Sequence, residues 1–155
     1  MHLLMVGSVV VLSSCSGGSG GSSSKEAFAN AFVEAHKAKD VEQIAGLFCW
    51  DDVDAETRTE VMGRLHELCD SSVDKVVFCP LSERIRRMAM ETVTKNGQEY
   101  VDNIEPTDEF HINYRRELAG VWILPVGQKE GRYYFALPGR KGTRPAGPPT
   151  PPGQS

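Results

Sequence analysis

The chain has 155 residues, with 17 Lys and Arg against 21 Asp and Glu and a net charge of −4. That length suits one folded domain with a single core. The acidic balance argues against nucleic acid as a partner, because phosphate neutralisation needs clustered Lys and Arg. In chain order the first element is an apolar run, Leu3 to Leu12, of about ten residues, the length expected of a signal-peptide core. It is too short to span a bilayer, since ten helical residues cover roughly 15 Å of a hydrocarbon layer about 30 Å thick.

Leu12, Ser13, Ser14 and Cys15 close that run. The group resembles the lipobox of bacterial lipoprotein precursors. The resemblance implies cleavage between Ser14 and Cys15, acyl chains such as palmitate on the Cys15 sulfur and amine, and a membrane partner reached through that anchor. The expected location is the cell membrane or outer membrane, with the folded part in the periplasm or outside the cell. Two or three acyl chains hold a protein firmly, where a single chain holds it only marginally. Competing readings are an ordinary secretory signal cut elsewhere and a chance apolar start.

Ser16 to Ser24 contains only Ser and Gly, the composition of a coil-like tether. At the other end, Pro138 to Ser155 is dominated by Pro and Gly and is expected to be disordered. Three of the basic residues, Arg140, Lys141 and Arg144, fall in that tail, which leaves 14 basic against 21 acidic residues and about −7 for residues 25–137. The expected organisation is therefore a signal peptide at 1–14, a lipidated cysteine and tether at 15–24, one domain at 25–137, and a tail at 138–155.

Inside the domain, Ser23 and Glu26 form a capping box, and Ala27, Phe28, Ala31, Phe32 and Ala35 recur at helical spacing. Asp40 caps a second helix burying Val41, Ile44, Ala45 and Phe48. Asp54 opens a third, presenting Val61, Met62, Leu65, Leu68 and Cys69. Lys75 to Cys79 then reads as a strand stopped by Pro80. Leu81 to Met88 is either a short helix capped by Ser82 or an early strand. Asn96 and Gly97 mark a hairpin turn between strands near Met90–Lys95 and Gln98–Ile104. Phe110, Ile112 and Tyr114 alternate with polar residues, and Val121 to Val126 turns through Gly127–Gly131 to return as Arg132–Leu137. The expected fold class is α+β, three N-terminal helices packed on a curved, cone-like antiparallel sheet.

The opening pattern of Phe28, Phe32, Asp40, Leu47, Phe48, Cys49, Trp50 and Asp51 resembles the start of nuclear-transport-factor-2-like domains, a superfamily that includes ketosteroid isomerase and uncharacterised lipoproteins. Leu124 to Tyr134 resembles the terminal hairpin of such members. Fold alone confers no activity. The resemblance is compatible with a non-catalytic binding or interaction domain, or alternatively with a cavity enzyme of the isomerase or dehydratase type.

An enzyme would draw its acid and base from Asp102, Glu109, His111, Tyr100 and Tyr114, none of which stands in a recognisable motif. Alternation turns His111 away from the face that Phe110 and Ile112 bury, so it is either a cavity residue or solvent-facing. His36 and His66 read as partly exposed helix residues. Arg84, Arg86 and Arg87 are either an anion-binding cluster or a solvated edge. Ligand-lining candidates are Trp50, Tyr100, Tyr114, Trp122 and Tyr133, for which core packing is the competing and favoured reading. Expected partners are an envelope protein or a small apolar ligand, with no cofactor. Cys49, Cys69 and Cys79 leave three readings: one disulfide with a free thiol, three unpaired thiols, or a zinc site completed by His66, whose spacing lacks a CxxC element.

Overall fold

Helix α1, Lys25–Lys37, forms because Ser24 caps it, its side chain accepting from the Ala27 N–H at 3.1 Å. The cap lies one residue later than the Ser23 box, for Ser24 is the residue with extended backbone before the first turn. The computed structural model describes residues 21–115 and 119–142. Ser14 and Cys15 lie outside them, as does the tail from residue 143 onward. Helix α2, Val41–Ala45, and helix α3, Ala55–Cys69, are capped by Asp40 and Asp54, whose carboxylates accept from Gln43 and Thr57 N–H groups. Each aspartate offsets the orphan donors and the positive end of its helix.

The strands that follow are β1 (Ser72–Pro80), β2 (Val93–Lys95), β3 (Gln98–Asp102), β4 (Pro106–Arg115), β5 (Ala119–Lys129), β6 (Arg132–Phe135) and β7 (Pro138–Arg140). Leu81–Met88 resolves as the helical alternative: Ser82 caps α4, Glu83–Met90. The domain is α+β, with four helices among the described residues and a curled antiparallel sheet. It divides into a four-stranded sheet, β1-β4-β5-β6, and a three-stranded one, β2-β3-β7. Both two-residue hairpin turns place positive φ at their centres, Asn96–Gly97 at 52° and 77° and Glu130–Gly131 at 51° and 75°. That is the type I′ geometry matching strand twist. Gly127 is required for another reason, since a Cβ there would stand 2.3 Å from the Glu105 carbonyl oxygen.

Two boundaries differ from the sequence reading. Pro138–Arg140 belongs to the domain as β7, with Tyr100, Val101 and Asp102 opposite Arg140, Gly139 and Pro138. Proline is tolerated there because it opens an outer strand. At the other end, Gly21 donates to the Gly46 carbonyl and Ser22 exchanges backbone bonds with Tyr133, so the last Ser/Gly residues of the tether are docked. Phe48 pairs with Phe135 along the same strand. Together these segments cover the β6 edge, which would otherwise present unpaired backbone groups.

The core lies in the concavity between α1–α3 and the larger sheet. Phe28, Phe32, Phe110 and Phe135 are each 0% exposed. Their rings meet mostly edge to face, with Phe28–Phe110 at 5.7 Å, Phe32–Phe110 at 5.4 Å and Phe28–Phe135 at 4.8 Å. Phe78 and Phe48 extend the cluster. Such pairs contribute about 0.5–1.5 kcal/mol each beyond area burial. Phe110→Ala should destabilise the domain by about 3–5 kcal/mol, measured by urea unfolding. A cost below about 1 kcal/mol would mean that the cluster is not the core.

Candidate functional site

One cleft, of about 170 Å³, opens between α3 and the larger sheet, lined by Arg64, Glu67, Leu68, Ser71, Tyr114 and Trp122. The helix supplies Arg64 and Leu68 at i and i+4 on one face of α3, and Ser71 follows just past the Asp70 cap. The sheet supplies Tyr114 and Trp122 because inward positions alternate: Ile112 stands opposite Trp122, and Tyr114 opposite Gly120. Gly120 lets the Tyr114 ring lie against the strand, since an added Cβ would meet the ring at 2.9 Å. The cleft thus joins two half-buried aromatic side chains to a guanidinium and a carboxylate. Arg64 is paired with Glu60 at 2.9 Å and remains well exposed.

Of the five expected ligand-lining aromatics, the structure brings only Tyr114 and Trp122 together. Trp50 donates its indole N–H to the Ala45 carbonyl at 2.8 Å, packs on Phe48 and carries the Arg58 guanidinium over its ring at 4.6 Å. Those contacts make it a support for α2 and α3. Tyr100 is buried, with its hydroxyl donating to Asp54 at 2.5 Å. Tyr133 stands in β6, packed against the core beside Phe78. Arg64, Glu67 and Ser71 escaped the sequence reading, although their helical spacing relative to Leu68 was available to find them.

The acid and base candidates are separated in space. Asp54 is held at about 2, first by the Tyr100 hydroxyl and then by the Thr57 N–H. It is an ionised helix cap that cannot serve as a proton donor near neutrality. The bond raises the Tyr100 phenol in turn.

Glu109, on β4, is buried and accepts both the N–H of Ser82, at 2.8 Å, and the Ser82 hydroxyl. Its other oxygen lies 2.7 Å from His111 Nε2. Burial alone would raise Glu109, but the Ser82 hydroxyl, His111 and the Ser82 N–H hold it below the usual range. A nucleophilic relay needs the imidazole between hydroxyl and carboxylate. Here the carboxylate sits in the middle, so the group is a clamp that ties the start of α4 to β4. His111 takes the outward alternative, flanked in register by Val77 and Ile123, and is half-buried. His36, also half-buried, has Nε2 3.0 Å from the Leu68 carbonyl oxygen and stacks on Phe32, while His66 is exposed.

A second cleft, of about 180 Å³, lies beside the smaller sheet among Asp52, Val101, Asp102, Asn103 and Gly139–Gly142. Asn103 frames it: its amide nitrogen donates to the Cys49 and Asp51 carbonyls at 2.6 and 3.0 Å, and its oxygen accepts from the Leu137 N–H. Cys49, Cys69 and Cys79 are unpaired in the structure. Burial raises the Cys49 and Cys69 thiols. Cys49 packs with Ile104 and Ala136, whereas Cys69 belongs to the main core. Among the described residues no group of three or more His, Cys, Asp or Glu is placed to hold a metal ion.

Burial pushes Asp102 up to about 6 from its ordinary 3.8. The folded domain therefore binds a proton that the unfolded chain has lost between about pH 4 and pH 6, and stability falls as pH rises through that window. Asp102→Asn should remove this dependence and raise stability at pH 7 by about 1–2 kcal/mol, with little change at pH 4. Urea midpoints at the two pH values check it, and equal shifts at both would refute it.

No family model matches the chain, and neither a curated protein nor a solved structure shows significant similarity to it.

Proposed function

We propose that the chain is a lipid-anchored envelope protein whose nuclear-transport-factor-2-like domain is a non-catalytic binding or interaction module. The observation that carries the domain's part is the filled concavity: Phe28, Phe32, Phe110 and Phe135 occupy the space where a cavity enzyme would hold substrate. Open beside it is the rim cleft of Tyr114, Trp122, Arg64 and Glu67. Its aromatic walls and charged lip suit a small amphiphile, with apolar surface against the rings and a polar end at the helix. The isomerase or dehydratase alternative asks for a desolvated acid beside a Tyr. The carboxylate that Tyr100 meets is Asp54, held ionised, while Asp102, raised by burial, lines the separate second cleft.

Support for the anchor comes from Leu12 to Cys15 and the Ser/Gly run behind them. No helix among the described residues is long and apolar enough to cross a membrane. Palmitate or acetate label should enter the wild-type chain in bacteria and be absent from Cys15→Ala; equal labelling of both would end the anchor reading. For the cleft, Trp50→Phe leaves Trp122 as the sole indole. Titration with apolar and amphiphilic small molecules should then change its emission, and the change should weaken at least tenfold in affinity when Tyr114→Ala is added, about 1.4 kcal/mol. A silent Trp122 across the panel would remove the cleft from consideration.

A further inference from the structure

The segment that follows β1 stands apart from the rest of the domain in charge and exposure. Helix α4 carries Arg84, Arg86 and Arg87 against Glu83, with Glu91 just past its end, within a domain that, with β7 included, is about −6. Its inward side is narrow, with Ile85 half-buried and Ala89 buried. At 100° per residue, Arg87 points opposite that side, with Arg84 next to it. Arg86 lies 3.7 Å from Glu83, while Arg84 and Arg87 have no ion-pair partner among the described residues. Met88, Met90 and Val93 are 54%, 70% and 58% exposed. Three large apolar side chains and two unpaired guanidinium groups thus reach solvent within eleven residues of chain, 83–93.

The starts of α1 and α4 are tied to neighbouring residues of β4. Ser24 caps α1, and Lys25, the next residue, pairs with Asp108 at 2.5 Å. Asp108 stands opposite Pro80 in the β1–β4 register, and Ser82, two residues on, caps α4. The Ser82–Glu109–His111 clamp fixes that start. Gly21 and Ser22 are docked on the domain, so only residues 16–20 separate Cys15 from it. Even fully extended, six residue steps span at most about 20 Å. A domain of this size, with a radius of gyration near 13 Å, cannot turn its entry side far from a surface that holds Cys15.

We infer that α4 and the residues up to Val93 form a membrane-contact surface, with Arg84 and Arg87 against the phosphates of anionic lipid headgroups and Met88, Met90 and Val93 against the upper acyl region. The inference rests on the anchored reading for its reason to meet a bilayer. Charge complementarity selects the occupant: the rest of the domain is acidic and is repelled by an anionic leaflet, which leaves α4 as the side that approaches it.

The test uses the full chain carrying Cys15→Ser, so that no acyl group masks the contact and a failed anchor is distinguished from a failed surface. Its co-sedimentation is compared on phosphatidylcholine vesicles and on phosphatidylcholine vesicles containing phosphatidylglycerol. The apolar leader contributes alike to both. Binding should be stronger on the anionic vesicles and fall with salt. Arg84→Ser with Arg87→Ser should weaken it roughly 30-fold, with the near-ultraviolet circular dichroism of the fold unchanged. Lys141→Ser with Arg144→Ser, which removes charge from the C-terminal segment instead, should leave most of the binding intact. Equal binding to both vesicle types overturns the inference, as does loss of binding in the Lys141/Arg144 variant with none in the Arg84/Arg87 variant.

Discussion

Four phenylalanines from distant parts of the chain, Phe28 and Phe32 on α1, Phe110 on β4 and Phe135 on β6, close on one another in the concavity of the larger sheet. Each is wholly buried, and burial of such a side chain contributes about 1.5–3 kcal/mol. Placing α1 across β4 and β6 fixes the sheet's curl, because the helix must sit where the inward positions of these two strands converge. The same rings consume the volume that this shape would otherwise leave for a ligand. The open space beside this core lies at the rim, where α3 ends and Tyr114 and Trp122 emerge.

A second consequence concerns the convex face. Residues that alternate away from the aromatic core bring Glu109 and His111 to the outside, and there Glu109 fastens the cap of α4. Burying a carboxylate is costly unless it is hydrogen-bonded. The Ser82 N–H, the Ser82 hydroxyl and His111 supply those bonds, which is why the buried group stays below its usual range rather than above it. The clamp converts a sequence-level ambiguity, helix or early strand after Pro80, into one defined position for the arginines of α4.

Much of the local architecture was legible because single residues carry it. Asp40 and Asp54 cap helices through their own carboxylates, and Asn96–Gly97 sets a turn through its positive φ values. Less was legible where partners lie far apart in the chain. β7 escaped because Pro138, Gly139 and Arg140 have no strand propensity; its place comes from backbone bonds to β3, and from Arg140 N–H to the Asp52 carbonyl. The docked Gly21 and Ser22 escaped for the same reason. Trp50 and Trp122 look alike in sequence. Only the Ala45 carbonyl and Arg58 around the first, and the open cleft beside the second, separate a structural indole from an available one.

The two sheets are held to the helices by different forces. The larger one is fixed by the aromatic core. The smaller one, β2-β3-β7, joins the domain chiefly through polar side chains: Tyr100 to the Asp54 cap of α3, Lys95 to Glu56 on the same helix turn, and Asn103 to the 49–51 loop. The apolar cluster in the adjoining loops is small, Cys49, Ile104 and Ala136 with Tyr134 against them. Hydrogen bonds of this kind contribute about 1 kcal/mol net each, or somewhat more where one partner is charged, so the smaller sheet is the part of the domain expected to open at lower cost than the core. The α3 cleft is built on the rigid sheet, while α4 and the chain up to Val93 lead directly into the softer one. A ligand in the cleft meets fixed walls, whereas the convex segment can adjust to an irregular surface without disturbing the phenylalanine core.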